Sequence, residues 1–303
     1  MRRNQCNSEL RDARWFGVPN QASRVHHLWP VIDEVAIATE KLSPPGEAFW
    51  SAIVFENSSL EIGDSALALR RIIHQRRSAV ALDGHTGITR DALYQILLKV
   101  MPGPRQVPFT TLPWRPCVDL LFFVHRVADL PPGFYPLLRD PARREALEEA
   151  MDQTFVWTRP AGCPGSLPLF FLQEGDARRA AQQTSCDQEI AADGVFAAAM
   201  LTEYRASLDA FGPWFYRRLY WETGVIGQVL YLEAEARGIR STGIGASSTT
   251  SHTGSSDSLE TVFRCSTTSP WAGRSTIHAC RPIHRISTSR GMQGFDEIEV
   301  IRQ

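Results

Sequence analysis

Lysine is almost missing from this chain. Lys41 and Lys99 are the only two, and arginine supplies the rest of the 32 basic residues. An excess of either charge is missing too: 33 acidic side chains face those 32, for a net charge of -1. No cationic surplus exists to neutralise a phosphate backbone, and no acidic tail to hold a cationic partner, so nucleic acid is excluded as a partner. Cysteine is sparse: Cys6, Cys117, Cys163, Cys186, Cys265 and Cys280 form no C-x-x-C pair. That pattern fits reduced thiols in a cytosol better than a disulfide framework. Long apolar runs are absent as well. The longest, residues 118–127, is broken by Asp119 and His125 and is too short to cross a bilayer. The N-terminal MRRNQCNSELRDARWFG has charge but no apolar stretch of the kind a signal peptide needs. A cytoplasmic chain without a membrane anchor is expected.

What is present suffices for a sizeable core, with 43% hydrophobic residues in 303. Residues 1–63 read as an extended arm punctuated by Pro19, Pro30, Pro44 and Pro45, with one short helix over Leu28–Ala38. From Asp64 the pattern becomes regular and predicts a single α+β domain over residues 64–246. Asp64 or Ser65 can cap a helix that ends at Arg76-Arg77-Ser78, and Thr89 opens a second with Leu93, Ile96, Leu97 and Val100 on one face. Val118–Val127 is expected to be a strand buried on both faces, and Leu167–Leu172 another. A polar helix is expected over Pro141–Met151. Gln188–Leu208 carries apolar residues at helical spacing, and Trp214–Arg237 makes a helix of about 24 residues closed by Gly238.

The composition then changes. Residues 246–290 hold 11 Ser and 8 Thr, with Asp257 and Glu260 as the only acids, and apolar periodicity stops. Residues 247–303 therefore read as an aberrant, disordered tail. In an arginine-rich, GC-biased coding sequence, a shift of one base turns Ser247–Thr250 into FFDD and Ser266–Gly273 into a string compatible with YHFTVGG. We read the tail as a frameshifted translation of an ordinary C-terminal segment, which resequencing the gene would test.

Two stretches can carry chemistry. Arg76, Arg77 and Ser78 place two forked guanidinium groups beside a hydroxyl, a donor set suited to a phosphate. Gly243-Ile244-Gly245 would let backbone approach a flat ligand, although a tight helix-to-strand connection explains the same glycines. It is not a dinucleotide fingerprint, because it follows a helix and has no third glycine.

Together, RRS near the start of the domain and GVIGQVLYLEAEARGIRSTGIGA near its end resemble the flavin-dependent nitroreductase superfamily, more closely its SagB/ThcOx-type dehydrogenases. CDQEIAADGVFAAAMLTEY and VDLLFFVHRVADLPPGFYPLLRD are similar to that group too, so the resemblance covers about residues 64–245. It implies a nitroreductase-like fold, with helices around a central antiparallel sheet, non-covalent FMN and a homodimer. It places Arg76, Arg77 and Ser78 at the FMN phosphate and ribityl chain, and Gly243, Ile244 and Gly245 at a glycine turn beside the flavin. It implies hydride transfer through the flavin, with NAD(P)H as electron donor and a small-molecule or peptide substrate; in the SagB-like branch the reaction is oxidation of peptide azolines. The alternative is a non-catalytic relative that acts as a structural or partner-binding subunit. No catalytic proton-transferring residue can be named. No metal is expected: His252, His278, Cys280 and His284 have ligand-like spacing but fall in the aberrant tail. His26 and His27 read as features of the arm, the aromatic cluster at 211–221 as core packing, and His125 as a core histidine.

Overall fold

The computed structural model describes residues 16–18, 28–41, 66–103, 106–185, 187–245 and 261–266. The chain divides into two units, 1–38 and 39–303. In the first, helix α1 (Pro30–Ala38) begins on a proline, where the missing amide has no helical partner to lose.

The first described helix of the second unit is α2 (Ala66–Gln75). Asp64 and Ser65, the expected caps, lie outside the described residues. The short strand β1 (Ile88–Thr89) leads into helix α3 (Arg90–Val100), whose N-cap Thr89 side chain accepts the Ala92 amide as anticipated. Strand β2 (Asp119–Val124) is buried at all six positions. It is followed by β3 (Val127–Ala128), which pairs in parallel with β1, and by β4 (Gly133–Leu137). The polar helix comes in two parts, a 3-10 turn at Pro141–Arg143 and helix α4 (Arg144–Ala150). Strand β5 (Gln173–Glu174) and helix α5 (Arg178–Gln183) follow. Leu167–Leu172 is not a strand of its own; isolated bridges at Leu169 and Phe171 tie it to Leu137 and Thr158.

The expected helix over Gln188–Leu208 is overturned. Glu189–Ala191 is a single 3-10 turn, Phe196–Leu201 is strand β6, and only Tyr204–Phe211 is α-helical (α6). Phe-Ala-Ala-Ala-Met-Leu is apolar at every position, so its spacing satisfies a helical face and a doubly buried strand equally well. Tertiary packing decides. The alanines stand opposite Leu121, Phe122 and Phe123 of β2, small against large, and every β6 residue is buried. Gly212 and Pro213 then turn the chain through a 3-10 turn into helix α7 (Tyr216–Ala236). Gly238, at φ 72°, makes the left-handed C-terminal turn before strand β7 (Arg240–Ile244).

The last strand among the described residues, β8 (Thr261–Ser266), comes from the Ser/Thr-rich segment. The β-prone Thr-Val-Phe-Arg-Cys-Ser pairs antiparallel with β6 on one side and β7 on the other. These six residues therefore sit inside the sheet, although composition places them in the tail. Residues 246–260 and 267–303, with the strings altered by the proposed frameshift around them, lie outside the described residues. The six strands run in the order β5-β4-β2-β6-β8-β7, all neighbours antiparallel. The α+β class expected from the sequence is the class found. Among the described residues, no helix is long and apolar enough to cross a membrane.

One face of the sheet offers Leu120, Phe122 and Val124 to α3 and α7, which bring Leu97, Val100, Ile226 and Leu230. The other offers Leu121, Phe123, Ala197 and Ala199 to α5 and the Met151–Phe155 stretch. Where these layers meet the start of β2, charge is buried. Arg139 and Glu222 are each 1% exposed and form an ion pair. Arg139 also donates to the carbonyls of Val100 at 2.8 Å and Val118 at 3.0 Å. Glu222 accepts from the Trp114 indole at 3.1 Å and from the amides of Cys117 and Val118. The backbone amide of Arg139 donates to Asp119, which also binds Arg143 at 2.7 Å. That carboxylate raises the Arg143 pKa against the desolvation that opposes it.

Removing one partner of a buried ion pair is worse than removing both, because the survivor keeps its desolvation cost. Glu222→Leu is expected to lower the unfolding free energy by about 3–5 kcal/mol, and Arg139→Met in the same chain to recover part of that loss. Urea denaturation of the two variants checks this; equal stabilities would refute the pairing as the cause.

Candidate functional site

Helix α2 ends at Gln75 because the chain must turn to meet the sheet. Ser78 bridges Ser241 of β7 in parallel, and the Ala79 amide donates to the Ser241 carbonyl at 2.8 Å. This short splice sets the 76–78 stretch beside the end of β7. Between them stands Tyr231 of α7. A hydrogen bond of 2.9 Å joins Ser78 Oγ to Tyr231 Oη, and the Gly243 amide donates to the same oxygen at 2.6 Å. The Arg76 guanidinium lies 4.9 Å from the centre of the Tyr231 ring, a cation–π contact. Three of the six residues singled out by sequence thus meet at one phenol.

The other three are placed differently. Arg77 turns back on its own helix and donates to the carbonyls of His74 and Arg76, at 3.0 and 2.8 Å, satisfying acceptors that a helix end leaves open. Gly243 and Ile244 form the end of a strand rather than a turn, since Gly238 already supplies the left-handed connection. Ile244 is buried, while Gly243 and the following Gly245 are exposed. Tyr231 itself was not singled out in the sequence. Only its position four residues before Glu235, which reaches the same end of α2, could have pointed to it.

Around this cluster the charge is positive. Arg70, Arg71, Arg76 and Arg77 share one stretch without a carboxylate. The nearby Glu235 is occupied: it accepts from Gln75 at 2.5 Å and pairs with Arg240 at 2.9 Å. Ser241 Oγ is buried without a hydrogen-bond partner. A half-buried guanidinium beside an exposed hydroxyl can hold an anion such as a phosphate monoester.

The fold is similar to that of proteins assigned as nitroreductases. One from Anabaena variabilis is 17% identical, with a TM-score of 0.46, over 66% of this chain and 38% of its own. One from Ralstonia eutropha is 12% identical, with a TM-score of 0.42, over 77% of this chain and 98% of its own. The E. coli microcin synthetase McbBCD complex, solved with truncated pro-MccB17 bound, matches at 14% identity and a TM-score of 0.36, over 73% of each chain. This chain thus spans 38% of the length of the Anabaena chain. These are likenesses of chain path and say nothing about chemistry. No family model and no curated protein matches the sequence.

Other reactive groups are held inert by their surroundings. Burial and the neighbouring Glu222 push the Cys117 thiol up to about 12, so it stays protonated. Burial raises the Cys163 thiol as well. Both are free cysteines. Among the described residues, no group of His, Cys, Asp and Glu could hold a metal ion. His252, His278, Cys280 and His284 lie outside those residues, as do His26 and His27.

His125 follows β2 and is buried. Its Nε2 lies 3.2 Å from the Ala191 carbonyl, and Nδ1 has no partner. Desolvation lowers its pKa to about 4. Arg126 and Arg178 lower it further, while the Ala191 carbonyl and Asp176 oppose the shift. Because the folded value lies below the unfolded one, the unfolded chain takes up the proton first as pH falls. His125 therefore costs the native state nothing above about pH 6.5, and its penalty grows to about 3 kcal/mol by pH 4. Unfolding free energies of the wild type and His125→Gln across pH 7 to 4 check this. The wild type is expected to lose more stability than the variant over that range; parallel curves would show that His125 contributes nothing.

Proposed function

We propose that this chain is an FMN-dependent oxidoreductase of nitroreductase type, with Arg76 and Ser78 at the phosphate end of the flavin. The observation that carries this reading is the meeting of the two family-like stretches: Ser78 and Tyr231, 153 residues apart, share a hydrogen bond, and Gly243 joins them at the same oxygen. A guanidinium and a hydroxyl fit a phosphate monoester, and no carboxylate in the 66–78 stretch opposes it. Arg77 has a supporting place in this reading, neutralising the end of α2. Gly243, Ile244 and Gly245 bring backbone to the same region, with Ile244 anchored inside.

FMN, when bound, would supply two-electron hydride chemistry, with NAD(P)H as the donor or with a peptide azoline, whose oxidation to the azole releases a hydride and a proton. The chain's own residues bind and orient it. The same reading brings a homodimer and a cytoplasmic location. A peptide azoline is the substrate class we favour, on the resemblance of the 186–204 and 211–245 stretches to SagB-type dehydrogenases.

Purified protein should show flavin absorbance in the visible range, or gain it on titration with FMN. A charge-assisted contact to phosphate contributes about 1.5–3 kcal/mol, so Arg76→Gln is expected to weaken FMN binding about 10- to 100-fold. A colourless preparation that stays apo with excess FMN overturns the enzyme reading and favours a non-catalytic, partner-binding protein.

A further inference from the structure

Tyr231 is the feature of the site that neither the sequence motifs nor the anion chemistry require. It is half-buried on α7, and its phenol oxygen lies among exposed groups, Ser78 and Gly243. A tyrosine kept only for packing needs none of the contacts seen at its polar end. Here the oxygen joins a side chain that follows α2 to a backbone amide of β7, and the ring lies under Arg76. Three chain segments are fixed at one side chain.

Holding these groups matters because neither donor is rigid by itself. Ser78 lies outside any helix, and its hydroxyl rotates freely unless bonded. An arginine side chain near the surface loses considerable rotamer freedom when it is fixed on a ligand. A ring that already carries the guanidinium, and an oxygen that already holds the hydroxyl, remove much of that ordering from the binding step. Glu235, one turn further along α7, holds the end of α2 through Gln75 at 2.5 Å, so the same helix face sets both the position of α2 and the donors beyond it.

We infer that Tyr231 is a positioning residue for anion binding: its phenol presents Ser78 and its ring presents Arg76 to the phosphate of the cofactor. This rests on reading the Arg76–Ser78 cluster as the phosphate end of an FMN site.

The test compares FMN with riboflavin, which has the same ring and ribityl chain but no phosphate. Dissociation constants for both are measured by fluorescence titration on the full chain, with thermal unfolding of each variant. Wild type is expected to prefer FMN. Tyr231→Phe, which keeps the ring and loses the oxygen, is expected to bind FMN about tenfold more weakly, with riboflavin affinity and melting temperature little changed. Tyr231→Leu, which also frees Arg76, is expected to weaken FMN further while riboflavin again holds. Adding Ser78→Ala to Tyr231→Phe is expected to cost less than Ser78→Ala in the wild type, since the hydroxyl is no longer oriented. An unchanged FMN preference in Tyr231→Phe overturns the inference, as does an equal loss of FMN and riboflavin with a lowered melting temperature, which marks a merely structural role. A wild type without preference for FMN over riboflavin overturns instead the phosphate reading of the cluster, and the inference falls with it.

Discussion

The structure depends on a carboxylate and a guanidinium buried where the layers meet. Glu222 lies on α7, and Arg139 follows β4; between them they bind backbone of the end of α3 and of Cys117 and Val118, which lead into β2. Each of those polar groups would be orphaned if the pair were absent, because the hydrophobic layers close over it on both sides. The layers themselves are apolar and non-directional, and Leu, Phe and Ala surfaces could slide against each other. The ion pair and its backbone partners set the angle and depth at which α7 crosses the sheet.

That setting reaches the candidate site through α7 itself. Glu222 and Tyr231 are nine positions apart, about 13.5 Å along a helix at 1.5 Å per residue. At the first position the helix is held by charge in the core; at the second it offers a phenol to the ends of α2 and β7. Ile226 and Leu230 lie between, buried against α3 and the sheet. The site is therefore built from a rigid element with one buried anchor, and its donors come from segments that this element positions.

Much of this was legible in the sequence, and the exceptions have physical causes. The caps and stripes of α3 and α7, the buried strand at 119–124 and the α+β class follow from periodicity and turn residues, which are local properties. β6 did not follow, because Phe-Ala-Ala-Ala-Met-Leu lacks any polar position that would separate a period of 3.6 from a period of 2. Its partner, the phenylalanine-rich β2, is more than 70 residues away and decides the matter by size complementarity. Of the groups that meet at Tyr231, Arg76, Ser78 and Gly243 stood out in the sequence, because forked donors and glycines are distinctive residue types. Tyr231 was not, since a tyrosine in an apolar helix reads as packing until the fold brings two distant segments to its hydroxyl. Arg77 differs from Arg76 in a way sequence does not display: two adjacent arginines look alike, but only the second turns back to the carbonyls at the end of α2.

The scarcity of lysine, a compositional trait at the outset, has a structural consequence in these contacts. Arg139 serves a carboxylate and two carbonyls from one planar group. Arg126 binds the carbonyls of Thr86, Asp193 and Gly194, closing the loops around the start of β3. Arg159 does the same for Pro164 and Leu167 in the proline-rich loop. An ammonium at any of these places would concentrate its donors at one point, and a lysine at Arg139 could not serve Val100 from one nitrogen and Val118 and Glu222 from another, as Nε and Nη1 of the guanidinium do. Whatever bias placed arginine there, the fold now uses it as a multi-armed tie between backbone segments. Exchange of these arginines for lysine would keep the charge and lose the architecture.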